Sequence, residues 1–177
     1  LKSTYNVPFK GLKEGKHLFD FELDDKFFAL FEESEVKQGK VAARLELTKQ
    51  STLMILRFSA KGSVNLMCDR CLENYDQVFR NESILYVKFG MEAEDLGDEI
   101  IVLPFDEFQI NVAQYLYELV ILGLPIKRVH PNDKQGNSTC NPEMLEALGN
   151  YLIEDEEADE TPIDPRWNEL KKLLDNK

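Results

Sequence analysis

Apolar and polar side chains alternate through much of the first half of the chain, with the period of two that turns one strand face to a core and the other to water. His17 to Leu23 runs through Leu18, Phe19, Asp20, Phe21 and Glu22 in nearly this pattern. Asp25 to Phe31 instead gathers Phe27, Phe28 and Phe31, as a short helix or turn would. Val41, Ala43, Leu45 and Leu47 then alternate with Ala42, Arg44, Glu46 and Thr48. A Lys49-Gln50-Ser51 turn leads to a strand from Thr52 to Phe58, and a Lys61-Gly62 turn leads to a third, Ser63 to Met67. Cys68 stands at its end, and a β-type run resumes from Gln77 to Phe89 with Val78, Ile84 and Tyr86. The pattern predicts an α+β fold whose sheet is a twisted antiparallel meander of roughly five to six strands.

The periodicity changes in the second half. An acidic loop, Glu92 to Glu99, leads to Ile100-Ile101-Val102-Leu103. A helix is then expected from Asn111, a plausible N-cap with Gln114 three residues on, to a stop at Gly123 and Pro125. Val112, Leu116, Leu119, Val120 and Gly123 share one face, predicting one long helix packed on the sheet. Beyond it come His130-Pro131, a polar loop from Asn132 to Thr139, Cys140, and a helical turn over Glu143 to Leu148. The like charges of Glu154 to Glu160 predict a solvated linker. Asp164-Pro165, followed by Trp167, Leu170, Leu173 and Leu174 at helical spacing, predicts a short C-terminal helix too marginal to stand without a docking surface. The expected organisation is one α+β domain over 1–150, an acidic linker over 151–163 and an amphipathic helix over 164–177.

Composition narrows the class. The chain has 177 residues, 43% of them hydrophobic, enough to fill one core. A net charge of -12 repels phosphate backbones and anionic lipid, which disfavours general electrostatic binding to nucleic acid and leaves only a local basic patch for RNA. The longest apolar run, Leu119 to Ile126, falls short of the roughly 20 residues of a membrane-spanning helix. Three cysteines make no disulfide framework. The expectation is a soluble cytoplasmic protein with no secretory leader and no membrane partner.

Candidate chemistry centres on Cys68-Asp69-Arg70-Cys71. A thiolate pair at this spacing holds two corners of a tetrahedron, and zinc then needs two more nitrogen or sulfur ligands. The chain contains only two histidines, His17 and His130, and one further thiol, Cys140. His130 and Cys140 are therefore the candidates to complete a site with Cys68 and Cys71. One pair plus two single ligands is a weaker signal than two knuckles, so the sequence favours two partly buried thiols closing a β-turn, with zinc as the alternative. If the site survives, His130 or Cys140 approaches the turn; if the turn is purely structural, both stay away. Thioredoxin-type redox chemistry requires the motif at a helix N-terminus, whereas here it lies between strands. No triad, metalloprotease spacing or phosphate loop is present, so no enzyme activity is expected. The aromatic cluster of Phe27, Phe28 and Phe31 is expected as core or sheet cover rather than a stacking platform. Arg70 in the turn, Lys127, Arg128 and Lys134 after the helix, and Trp167 near the C-terminus are the candidate binding residues.

The order of these features carries a resemblance. A strand ending in Cys68-Asp69-Arg70-Cys71-Leu72, the Ile110 to Pro125 segment, His130-Pro131, Cys140 and Asp164-Pro165-Arg166-Trp167 together resemble the YceD-like family, over most of residues 40 to 175. The family is associated with accumulation of large-subunit ribosomal RNA in bacteria and plant organelles. The resemblance implies a non-catalytic factor in large-subunit assembly or rRNA maturation. Many relatives carry a second cysteine pair after the helix, which implies a four-thiolate zinc site; this chain offers Cys140 and, nearer the helix, His130. Given the acidic charge, contact with a basic ribosomal protein or an rRNA-maturation factor is the expected route, with precursor 23S rRNA a further candidate partner. The alternatives are a small RNA-binding module working through Lys127, Arg128 and Lys134, or a structural zinc protein of unrelated role.

Overall fold

The computed structural model describes residues 2–95, 97 and 99–150. The chain divides into two compact units, Leu1–Cys140 and Asn141–Lys177. Within the first, the alternating segments form strands β1 (Asn6–Pro8), β2 (Gly15–Leu23), β3 (Gly39–Lys49), β4 (Leu53–Met67), β5 (Asn74–Gly90), β6 (Glu94–Asp95), β7 (Ile100–Pro104) and β8 (Gln109–Asn111). A 3-10 helix (Lys2–Tyr5) and helices α1 (Asp25–Phe28) and α2 (Ala113–Leu122) complete it. Six strands form one sheet in the order β2-β3-β4-β5-β7-β6, and β1 pairs with β8 apart from it.

The period of two decides the faces. Val41, Ala43, Leu45 and Leu47 of β3, Met54, Leu56 and Phe58 of β4, and Leu85 and Val87 of β5 are buried on the inner face. Both helices cover that face. Asp24 caps α1 by accepting from the backbone N–H of Lys26 and Phe27, which aims Phe27 and Phe28 inward. The Phe27 ring meets Tyr5 edge-on at 5.0 Å, and the half-buried Phe31 stacks on Tyr117 of α2 at 4.1 Å, so Phe27 and Phe28 are core and Phe31 lies at its margin. From α2, Leu116, Leu119 and Val120 are buried, Tyr115 stacks over Phe58, and Asn81 of β5 donates to the Leu119 carbonyl.

Three expectations are corrected. The Lys61-Gly62 turn does not exist: β4 runs unbroken for 15 residues. Gly62 is there because a Cβ would lie 2.2 Å from the Lys40 carbonyl, so it serves a close approach of two strands. The sheet is mixed, because β5 and β7 are parallel. The acidic loop carries the chain past one strand position to β6, and β7 returns between β5 and β6, antiparallel to β6. The helix is not long; α2 has 10 residues and starts after Asn111, whose side chain still accepts from the Ala113 N–H at 3.1 Å. Gly123 ends it in right-handed geometry, with φ of -81°; space rather than φ requires glycine, since a Cβ would lie 2.8 Å from that of Asn81.

In the second unit, α3 (Pro142–Gly149) begins at Asn141, whose side chain accepts from the Glu143 N–H at 2.9 Å with Pro142 in the first turn. The linker expected over 151–163, the helix over 164–177 and Trp167 lie outside the described residues.

Candidate metal centre

The hairpin of β4 and β5 is paired from Leu53↔Lys88 to Met67↔Asn74, and the turn that closes it is Cys68 to Glu73. The Cys68 N–H donates to the Glu73 carbonyl and the Leu72 N–H to the Cys68 carbonyl, at 2.9 and 3.0 Å. Leu72 closes the turn with φ of 60°, a left-handed conformation that a branched apolar residue seldom adopts. The result points backbone N–H groups at a sulfur: Arg70 donates to Cys68 Sγ at 3.4 Å.

The other half of the site arrives from the segment after α2. The Asp69 N–H donates to the Arg128 carbonyl and the Arg128 N–H to the Asp69 carboxylate, both at 2.7 Å, which fastens this segment to the turn. Asp133 then folds the chain back, accepting from the N–H groups of Gln135 and Asn137 at 2.8 Å, with Gly136 at φ of 89°. The Thr139 hydroxyl donates to the Pro131 carbonyl at 2.7 Å, closing the loop. His130 and Cys140, ten positions apart, consequently reach the same place.

Cys68 Sγ and Cys140 Sγ are 3.7 Å apart, and Cys71 Sγ and His130 Nδ1 are 3.4 Å apart. All four potential ligand atoms lie within 4.8 Å of one another. Tetrahedral zinc places two sulfur ligands about 3.8 Å apart and a sulfur and a nitrogen about 3.6 Å apart. The donor set and these two edges fit the ion. The three cysteines are buried and His130 is half-buried, its ring 4.9 Å from that of Tyr75. Burial pushes the Cys68 thiol up, but the N–H groups of Cys71, Arg70 and His130 and the His130 ring outweigh it and hold the thiol at about 6. Its thiolate, the form that binds metal, is thus favoured at neutral pH.

A purely structural turn called for neither downstream ligand; the structure brings both. His17 is elsewhere, its ring bonded to the Lys13 carbonyl. Of the candidate binding residues, Arg70 is exposed in the turn, Lys127 and Lys134 are exposed on the downstream segment, and the Arg128 guanidinium pairs with Glu35 at 2.5 Å. Asp69 and Asp133, which assemble the site, were not singled out from sequence. Asp133-Lys134-Gln135-Gly136-Asn137 carried the signal, an Asx turn with glycine at the left-handed position.

No curated protein and no solved structure matches the chain. A family model described as large ribosomal RNA subunit accumulation protein YceD matches residues 56–174, a span that begins within β4 and takes in all four candidate ligands. The Cys-x-x-Cys hairpin end, the helix behind it and the returning segment thus fall inside a single match, and the chain belongs to the YceD family.

Proposed function

We propose that this protein is a non-catalytic factor in assembly of the large ribosomal subunit, acting in the cytoplasm through protein–protein contacts, with a structural zinc ion held by Cys68, Cys71, His130 and Cys140. The family description carries the ribosomal part of this reading. The net charge of -12 supports a basic protein as the partner, since the whole-molecule field repels RNA. For the metal, the donor count is the support. A catalytic zinc keeps an open position beside three protein ligands, whereas three thiols and one imidazole converging here supply a closed set of four. Bound zinc would staple the segment from Arg128 to Cys140 onto the end of the β4–β5 hairpin. No described helix is long and apolar enough to cross a membrane.

The test is affinity capture of the tagged full chain from native lysate. Large-subunit proteins, precursor 23S rRNA or a maturation factor are expected in the eluate. Recovery of none of these would overturn the ribosomal reading, and a purified protein without stoichiometric zinc would overturn the metal reading.

A further inference from the structure

The outer face of the sheet holds a charge arrangement that folding does not explain. Lys61 of β4 lies directly opposite Arg80 of β5 in the register, and Lys40 of β3 lies opposite Ser63, one outward-facing position from Lys61. Like charges directly across a strand pair destabilise it, their Cβ atoms standing about 4.5–5.5 Å apart. Lysine on an edge strand guards against aggregation, but Lys61 stands on β4 where that strand is paired on both sides, with Ala42 of β3 and Arg80 of β5. Arg80 pairs with Glu82 at 2.8 Å, whereas Lys40 and Lys61 enter no ion pair among the described residues. Lys40, Lys61, Ser63, Val78 and Arg80 line a shallow groove across three strands, and no carboxylate lines it. In a chain of net charge -12 the groove itself is cationic, and Lys61 and Arg80 also border an adjoining depression that holds Asp20, Glu22 and Glu82.

We propose that Lys40, Lys61 and Arg80 form a contact site for the phosphate backbone of RNA, a segment of large-subunit rRNA if the reading above holds. The site rests on that reading for the identity of the RNA only. An RNA strand brings one charge per nucleotide at regular spacing and needs only an open, cationic surface. An acidic peptide added as a strand would run along the edge that β5 leaves unpaired before Tyr86, beside the groove and parallel to the strands, whereas the cations lie across three strands. No exposed aromatic ring lines the groove, so contact is to backbone and independent of sequence. If a protein partner sets where the factor acts, the groove adds phosphate contacts there.

Fluorescence anisotropy with the full chain and a labelled 23S rRNA fragment tests the site. The Lys40→Gln/Lys61→Gln variant should bind roughly tenfold more weakly, with a log–log salt slope lower by about 2. Its melting temperature should hold or rise, because like-charge repulsion is relieved. A scrambled RNA of equal length should bind as well as the 23S fragment. Unchanged affinity in the double variant would overturn the proposal, as would no RNA binding by the unaltered chain at about 0.05 M salt. Binding of a polyglutamate peptide that is lost in the variant, with no RNA binding, would overturn it in favour of an acidic protein. Affinity capture separates the two readings. If the groove alone is wrong, ribosomal components are still recovered while RNA affinity is indifferent to the variant; if the ribosomal reading alone is wrong, the variant still loses RNA in vitro.

Discussion

Cys140 was one of two single residues that the sequence could only nominate, and it stands 3.7 Å from Cys68. If three thiolates and one imidazole share a zinc ion, each ligand matters in proportion to its donor strength. Cys140→Ala should reduce zinc to well below one ion per chain by metal analysis, and His130→Cys, which restores four thiolates, should keep it at one. Equal zinc content in the Cys140→Ala protein would remove that residue from the site. Leu72 poses a different question, because its φ of 60° is strained for leucine. The left-handed conformation costs roughly 1–2 kcal/mol, and glycine's extra backbone entropy costs roughly 0.5–1 kcal/mol. Leu72 is 59% exposed, so little burial is lost on truncation. The conformational relief wins, and Leu72→Gly should stabilise the protein by about 0.5 kcal/mol in urea unfolding; a lower urea midpoint would show that the leucine side chain contributes packing that its exposure conceals.

At the scale of elements, what the sequence made legible follows from where periodicity speaks. The strands of the meander were readable because Val41 to Thr48 and the Tyr86 region alternate over many positions against one buried face. The break at Gly62 was misread because glycine serves both turns and close strand approaches, and only the partner strand tells which. Gly62→Ala puts a methyl group against the Lys40 carbonyl, and overpacking of this kind costs about 1–3 kcal/mol; a stability change within error would mean that β3 yields at that point. The parallel β7 was illegible, since direction is set by a loop that skips a strand rather than by the strand's own residues. The candidate ligands were legible as residue types, but their convergence depended on the Asp133 loop. That loop gives a pH signature. Its bonds from the N–H and side chain of Asn137, and from Gln135 and Gly136, hold the Asp133 carboxyl below the usual carboxylate range. The folded value is the lower one, so the loop's contribution is complete above the ordinary value of about 3.9 and is lost as pH falls through the depressed one. The amide signals of Gln135 and Asn137 should titrate together below the ordinary midpoint, and should lose that step in Asp133→Asn. Titration at or above the ordinary value would mean that the loop is open in solution.

For the whole molecule, the question is how far a metal ion at the cysteine–histidine cluster would support the fold. Small zinc modules are unfolded without their ion because ligands stand in for a missing core. Here the core is ample. Phe27, Phe28, Leu45, Leu47, Met54, Leu56, Phe58 and Leu116 are almost fully buried between sheet and helices, and the β4–β5 hairpin pairs over 15 positions before reaching Cys68. Burial of a large apolar side chain contributes about 1.5–3 kcal/mol, so eight such residues outweigh the ordering of one terminal turn. The segment from Arg128 to Cys140 is placed differently. Its attachments among the described residues include the Asp69–Arg128 bonds, the Arg128–Glu35 pair, the His130 ring against Tyr75 and the candidate ligands themselves, and Cys140 is its one buried residue. Chelation should therefore act locally. In hydrogen exchange of the metal-loaded chain against the chelated one, amides of β3, β4 and β5 away from Cys68 should keep their protection, while those from Cys68 to Leu72 and from Arg128 to Cys140 should exchange faster. Loss of protection throughout the sheet would show instead that the metal nucleates the whole domain. No change at the hairpin end would show that the Asp69 and Asp133 bonds hold the downstream segment without it.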